Sequence, residues 1–192
     1  GVLDAVFSGL TYFGSEIAFM AAALLIFWCV DKRQGYYVFL VGALGTVCNQ
    51  FLKLAFRIPR PWVLDPDFQI VEAARADATG YSFPSGHTQN IVGTTASIFA
   101  SRKEAWVRIV CVVLMLLVPF SRMYLGVHTP LDVGVAFLTA LALAAALYPA
   151  FRTESAAKKT VPWLLLGVAV LCGGYLIYAL SLARCDWPEG SE

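Results

Sequence analysis

Long apolar blocks separated by short polar segments run through this chain. Six blocks stand out, and they cover approximately residues 17–30, 36–56, 85–100, 105–120, 131–151 and 161–183. Several of them approach the roughly 20 residues that an α-helix needs to cross the hydrocarbon core of a bilayer. The pattern therefore predicts an all-α, polytopic membrane protein, in which residues 1–192 form a single domain built on a bundle of six transmembrane helices.

The longest polar segment lies between the second and third blocks, over residues 58–83. Within it, Asp65 followed by Pro66 is typical of a helix start, with an N-cap residue and proline at the first helical position. Apolar residues recur behind this pair at helical spacing, at Phe68, Val71 and Ala74. We therefore expect a short amphipathic helix that lies on the membrane surface.

The composition agrees with a membrane protein and argues against other classes. Apolar residues make up 59% of the chain, whereas soluble domains contain about 45–50%. The formal net charge of +1 gives no reason to expect a nucleic acid partner. Neither a disulfide framework nor a metal site is predicted, because no paired Cys/His spacing occurs and four of the five cysteines lie in apolar blocks, namely Cys29, Cys48, Cys111 and Cys172, with Cys185 in the tail.

Basic residues are distributed unequally between the two sides of the predicted bundle. One side carries seven of them in three short loops, at Lys32, Arg33, Arg102, Lys103, Arg152, Lys158 and Lys159. Since basic loops favour the cytoplasm, we expect this side to be cytoplasmic in a plasma or inner membrane. The long loop of residues 58–83 and the connection of residues 122–129 then face the extracytoplasmic side.

The third block begins at a stretch that combines several anion-binding features, Pro84-Ser85-Gly86-His87. A loop that turns into a helix at Ser85 offers free backbone N–H groups and the positive end of the helix dipole. Ser85 can cap the helix, Gly86 allows an anion to approach the backbone, and His87 adds a proton donor. Alone, the stretch also fits an ordinary capped helix start with an incidental histidine.

Three basic residues lie near helix ends on the same predicted side as this stretch. Lys53 and Arg60 are at the exit of the second block, and Arg122 is at the end of the fourth. Charged groups at membrane depth are costly and usually mark function. Fixed cations, with arginine as a bidentate ligand, suit a phosphoryl group whose transition state spreads charge over its oxygens. Taken singly, Lys53 also fits a lysine that extends to the interface.

The start of the fifth block adds the other histidine of the chain. His128 and Asp132 are one helical turn apart, so the carboxylate can hold one ring nitrogen as N–H and leave the other free to attack phosphorus. His87 can then protonate the leaving oxygen. A His–Asp pair at this spacing more often forms a structural hydrogen bond. Its position on one membrane face with three cations nevertheless favours a catalytic role.

Together these residues resemble the type-2 phosphatidic acid phosphatases, the PAP2 superfamily. The family pattern has three parts, all present in order and without departure. The first is Lys53 followed, after six intervening residues, by Arg60-Pro61; the second is Pro84-Ser85-Gly86-His87; the third is Ser121-Arg122 followed by His128 and Asp132. Each part alone is common, but the combination is specific. The family's six-helix membrane core would cover nearly the whole chain.

The resemblance implies a phosphatase that works without metal or cofactor, through a phosphohistidine. It assigns His128 as the nucleophile, Asp132 as its orienting partner and His87 as the general acid. It assigns phosphate binding to Lys53, Arg60, Ser85, Gly86 and Arg122.

The implied substrate is a membrane lipid with a terminal phosphate or pyrophosphate. Candidates are undecaprenyl pyrophosphate, phosphatidate, phosphatidylglycerophosphate and sphingoid-base phosphates, and the sequence does not choose among them. Two alternatives stay open at this point: a lipid phosphotransferase that uses the same phosphohistidine, and a non-catalytic phospholipid-binding or transport protein.

Overall fold

The computed structural model describes residues 1–76 and 78–182, and in these residues it contains helices and no strand. The prediction of an all-α fold is confirmed. The described α-helices are α1 (Val2–Thr11), α2 (Glu16–Cys29), α3 (Lys32–Phe56), α4 (Pro61–Leu64), α5 (Gly86–Ser101), α6 (Ala105–Tyr124), α7 (Pro130–Phe151) and α8 (Glu154–Leu182). Asp77, Cys185 and the predicted polar tail lie outside the described residues.

The six predicted blocks correspond to α2, α3, α5, α6, α7 and α8, but not all of them are long enough to span a bilayer. By length and composition, four described segments qualify: Lys32–Leu64, α6, α7 and α8. A fifth is reached if α1 and α2, which meet at a bend of 52°, count as one broken span. Six crossings is therefore an approximate number for this fold.

Helix α5 occupies the centre of the bundle, where it packs against α3, α6 and α7. Its 16 residues give a length of about 24 Å, less than the hydrocarbon thickness of about 30 Å. The neighbouring helices compensate, because every residue from Thr88 to Ser97 is buried inside protein. Several of its polar side chains find protein partners there, as when Thr139 donates to Gln89 at 2.7 Å.

Several helices extend beyond the apolar blocks that predicted them. Helix α3 begins at Lys32 because Asp31 caps it, its carboxylate accepting from the Gln34 N–H at 2.8 Å. Helix α8 begins at Glu154 rather than near residue 161, so Lys158 and Lys159 lie in helix rather than in a loop. Hydropathy locates the membrane-buried part of a helix, whereas the caps decide where the helix begins.

The amphipathic helix expected after Asp65 is absent from the described loop residues, so that prediction is wrong. A short helix, α4, forms earlier at Pro61–Leu64, and only a 3-10 turn, Glu72–Ala74, follows. Asp65 instead closes a tight turn, its carboxylate accepting from the Asp67 N–H at 3.1 Å. The later loop residues pack on the α6–α7 connection, where the Val71 N–H donates to the Leu125 carbonyl at 3.2 Å. Tertiary contacts therefore override the local helical pattern.

The segment before α2 bends over the end of the bundle. Helix α1 packs along α6, where Phe7 contacts Phe120 and the Tyr124 hydroxyl donates to Asp4 at 2.9 Å. A 3-10 turn, Tyr12–Gly14, and the N-cap Ser15 then separate α1 from α2. This turn touches the start of α5 and becomes part of the site described next.

Candidate active site

A polar cavity of about 310 Å³ opens at the end of the bundle where α3 ends and α5 and α7 begin. Six of the eight predicted site residues line it, namely Lys53, Arg60, Gly86, His87, Arg122 and His128. The structure thus brings together side chains from four separate parts of the sequence. Four further residues line the cavity that no sequence pattern predicted, namely Glu16, Gln50, Thr79 and Asn90.

The two remaining predicted residues, Ser85 and Asp132, are buried directly behind this cavity. Ser85 is the N-cap of α5, as predicted, and its hydroxyl oxygen accepts from the Thr88 N–H at 3.4 Å. Its backbone N–H donates to the Asp132 carbonyl at 3.1 Å. The start of α5 is therefore fixed directly to the start of α7, and Gly86 presents its backbone at the cavity wall.

Arg60 is held in a single position by backbone carbonyls, although its side chain is only 5% exposed. Its guanidinium donates to the carbonyls of Gly80 at 3.0 Å, Thr79 at 2.7 Å and Val127 at 3.0 Å. These acceptors come from the long loop and from the α6–α7 connection. Since carbonyl dipoles do not neutralise the guanidinium, its full charge remains available to an anion in the cavity.

The imidazole of His128 lies against this guanidinium, with Nε2 at 3.0 Å from Arg60 Nη1. Because a guanidinium only donates, this contact makes Nε2 the acceptor and leaves the proton on Nδ1. Nδ1 in turn faces Asp132 Oδ2 at 3.6 Å. Burial lowers the pKa of His128 well below its ordinary value, and the charges of Arg60, Arg122 and Lys53 lower it further against the opposing effect of Asp132. The ring is therefore neutral, as a nucleophile requires.

Asp132 is positioned by two short hydrogen bonds that also organise the protein around it. Its Oδ2 accepts from the Thr129 N–H at 2.8 Å, and Thr129 Oγ1 accepts from the Asp132 N–H at 3.3 Å, which together form a capping box for α7. The same Oδ2 accepts from the Ser82 hydroxyl at 2.7 Å. Ser82 was missed, because a serine 50 residues away carries no spacing signal that relates it to Asp132.

The other two cations are also held by specific acceptors. Arg122, only 1% exposed, donates through Nη1 to Thr11 Oγ1 at 2.8 Å. The Lys53 ammonium donates to the Tyr81 carbonyl. Thr11 belongs to α1, far from any motif in sequence, and its role could not be predicted. The cavity therefore presents three fixed cations that suit a doubly charged tetrahedral anion.

Comparison with known proteins places this arrangement in context. A model of the PAP2 superfamily matches residues 34–156. The undecaprenyl-diphosphatase BcrC of Bacillus subtilis is 33% identical over 137 residues, which cover 68% of this chain and 67% of that protein. This chain covers between 35% and 71% of the length of the curated relatives that it matches.

Two solved structures have a similar fold. The crystal structure of LpxE from Aquifex aeolicus has a TM-score of 0.66 and 26% sequence identity, covering 77% of this chain and 86% of that chain. A transmembrane PAP2 type phosphatidylglycerolphosphate phosphatase from Bacillus subtilis has a TM-score of 0.62 and 26% identity, covering 77% of this chain and 75% of that chain.

The segment that matches the family model contains all three motifs, from Lys53 to Asp132, and more than half of the chain. The apolar helices and the transmembrane neighbour agree that this is an integral membrane protein. The chain belongs to the PAP2 superfamily.

Proposed function

We propose that this protein is a membrane phosphatase that hydrolyses a lipid phosphate or pyrophosphate through a phosphohistidine on His128. One observation carries the proposal: Nε2 of a buried, neutral imidazole lies in a cavity with three fixed cations, while Asp132 faces Nδ1. Relatives named as an undecaprenyl-diphosphatase and a phosphatidylglycerolphosphate phosphatase support lipid phosphates as the substrate class.

The first half-reaction transfers the phosphoryl group to the protein. The substrate phosphate binds among Lys53, Arg60 and Arg122 and takes over the Arg60 contact that Nε2 accepts in the free protein. Nε2 then attacks phosphorus, and the phosphorus–oxygen bond to the lipid breaks with its electron pair on the leaving oxygen. His87 gives that oxygen a proton. The cations stabilise the charge on the three remaining phosphoryl oxygens.

The second half-reaction returns the protein to its starting state. Water attacks phosphorus, the bond to Nε2 breaks with its electron pair on nitrogen, and His87 takes a proton from the water. Asp132 stabilises the positive charge on the ring throughout. Side chains supply every charge in this scheme, and among the described residues no cluster of His, Cys, Asp or Glu could hold a metal ion. Activity is accordingly expected without metal.

The proposed orientation places the cavity on the extracytoplasmic side. The seven basic residues named above lie in or beside the α2–α3, α5–α6 and α7–α8 links at the opposite end of the bundle, where Arg33 donates to the Arg152 carbonyl at 2.9 Å. That charge excess favours the cytoplasm. The lipid head group would enter the cavity while its tail stays among the helices or in the bilayer.

The test is phosphate release by the purified protein in detergent from a panel that includes phosphatidate, phosphatidylglycerophosphate, sphingosine phosphate and a prenyl diphosphate. The wild type should release phosphate in EDTA and be inhibited by vanadate. His128→Ala should abolish release and the acid-labile phosphoenzyme. Near-normal turnover by His128→Ala would disprove the assigned nucleophile, and loss of activity in EDTA that Mg²⁺ restores would disprove the metal-free scheme.

A further inference from the structure

One acidic side chain, Glu16, lines the cavity together with His87, Arg122 and His128. It is the first residue of α2, outside residues 34–156 that match the family model and outside every motif named above. The mechanism described so far gives it no task. A carboxylate in a cavity suited to phosphate therefore needs its own explanation.

Close backbone contacts hold the turn before Glu16 against the start of α5, which carries His87. The preceding 3-10 turn packs on the start of α5, so that a Cβ added to Gly14 would lie 2.7 Å from the His87 carbonyl oxygen. The Asn90 side chain donates to the Gly14 carbonyl at 3.3 Å. Glu16 follows Gly14 by two residues, so the backbone that carries this exposed side chain lies close to the backbone of His87.

The chemistry of a carboxylate limits what Glu16 can bind there. Repulsion between two unit charges about 4 Å apart costs on the order of 1 kcal/mol in water and about 4 kcal/mol near a protein surface. Direct contact between a bound phosphate and the Glu16 carboxylate is therefore unfavourable, and Glu16 forms no ion pair with a described residue that would offset this cost. An ionised carboxylate accepts hydrogen bonds only, so its ligand has to be a neutral or cationic donor.

We propose that Glu16 is a catalytic residue that holds the hydrolytic water beside His87 in the second half-reaction. The inference rests on the proposed phosphohistidine function. One water proton is donated to the Glu16 carboxylate as a hydrogen bond, and the other passes to His87. The water oxygen forms the new bond to phosphorus, and the phosphorus–nitrogen bond breaks with its electron pair returning to His128 Nε2.

This role predicts that Glu16 matters after the lipid has left, not before. Loss of the carboxylate leaves the cations, His128 and His87 in place, so the phosphoenzyme still forms. Misplacement of a reacting group by about 1 Å can cost about 100-fold, so hydrolysis of the phosphoenzyme should slow by roughly 10- to 100-fold. The phosphohistidine should then accumulate.

A purely structural role must be separated from this one, because an acidic residue in the first turn also stabilises α2 through the helix dipole. Glu16→Gln removes the charge and keeps the shape. Glu16→Asp keeps the charge at the helix start but shortens the side chain. Glu154→Gln is the matched control, since Glu154 is an exposed acidic residue in the first turn of α8, away from the cavity. Thermal unfolding of each purified variant monitors folding.

The experiment is rapid-quench analysis of the full chain in detergent with a lipid monoester carrying a ³²P-labelled phosphate. Glu16→Gln should give a burst of dephosphorylated lipid equal to the enzyme, an accumulated acid-labile phosphoenzyme and a kcat lowered about 10- to 100-fold. The kcat of Glu16→Asp should lie between those of Glu16→Gln and the wild type, and Glu154→Gln should behave as wild type.

Three results would overturn the inference. An unchanged kcat in Glu16→Gln would show that the carboxylate does nothing in turnover. A lowered kcat without accumulated phosphoenzyme, in a variant that unfolds at the wild-type temperature, would mean that Glu16 acts before the phosphoenzyme forms. A wild type that releases no phosphate and forms no phosphohistidine would instead disprove the proposed function on which the inference rests.

Discussion

The hydrogen bond from Ser82 to Asp132 provides a sharp test of how the site is positioned. Ser82→Ala removes a buried hydroxyl that donates to Asp132 Oδ2 at 2.7 Å and leaves every side chain in the cavity unchanged. In this variant the Asp132 carboxylate still accepts a hydrogen bond from the Thr129 N–H at 2.8 Å and still faces His128 Nδ1 at 3.6 Å. Any effect on activity must therefore pass through Asp132.

The expected loss of activity follows from the kind of hydrogen bond that Ser82→Ala removes. A hydrogen bond to a charged group contributes about 1.5–3 kcal/mol, and every 1.4 kcal/mol or so corresponds to a factor of about ten. If Asp132 stabilises His128 mainly when the ring becomes positive, the loss appears in the transition state. We then expect kcat to fall about 10- to 100-fold, with KM nearly unchanged because the three cations proposed to bind phosphate are intact.

Steady-state phosphate release measured over a range of lipid concentrations separates kcat from KM. Ser101→Ala is a suitable control, because Ser101 also loses a hydroxyl that donates at 2.8 Å, here to the Ser97 carbonyl at the far end of α5. The control should behave as wild type. A raised KM at constant kcat in Ser82→Ala, or wild-type values of both constants, would refute a role of Ser82 in positioning Asp132.

Three other predictions address the remaining features. Gly14→Ala should lower kcat or destabilise the protein by about 1–3 kcal/mol, measured by turnover and thermal unfolding, because the new Cβ would displace His87. Burial lowers the pKa of both His128 and His87. As pH falls through about 6.5, kcat/KM should therefore rise, because His128, the proposed nucleophile, stays neutral while a growing fraction of His87, the proposed general acid, carries a proton; a decline centred at about 6.5 would contradict this. In a cysteine-free background, an impermeant thiol reagent applied to intact cells should label Ala73→Cys and spare Ser155→Cys, both at exposed positions; the reverse pattern would mean a cytoplasmic site.

The sequence predicted those parts of the site that depend on short spacings. Ser85 as a cap and the separation of His128 from Asp132 are local relations, fixed by helix geometry once the elements are known. Hydropathy then placed the separate motifs at one end of the bundle, because alternating crossings leave few choices for which loops meet. The all-α fold followed from the same pattern.

The remaining features depend on contacts between residues far apart in sequence. Thr11 lies 111 residues from Arg122, and Ser82 lies 50 residues from Asp132, so no periodicity relates either pair. The incorrect helix after Asp65 has the same origin, since its apolar positions are buried by the α6–α7 connection rather than by a membrane surface. Glu16 gave no signal, because an acidic residue at a helix start is ordinary.

The shared use of Asp132 has a consequence for how inactive members of such a family would be recognised. One oxygen atom of its side chain starts α7 and anchors the loop that carries Ser82, independently of any substrate. A relative that had lost the histidine proposed here as the nucleophile would therefore still be expected to keep this aspartate, because losing it would damage folding. Retention of the aspartate alone is thus no sign of a working enzyme, and if His128 is the nucleophile as proposed, that position is the better marker of activity.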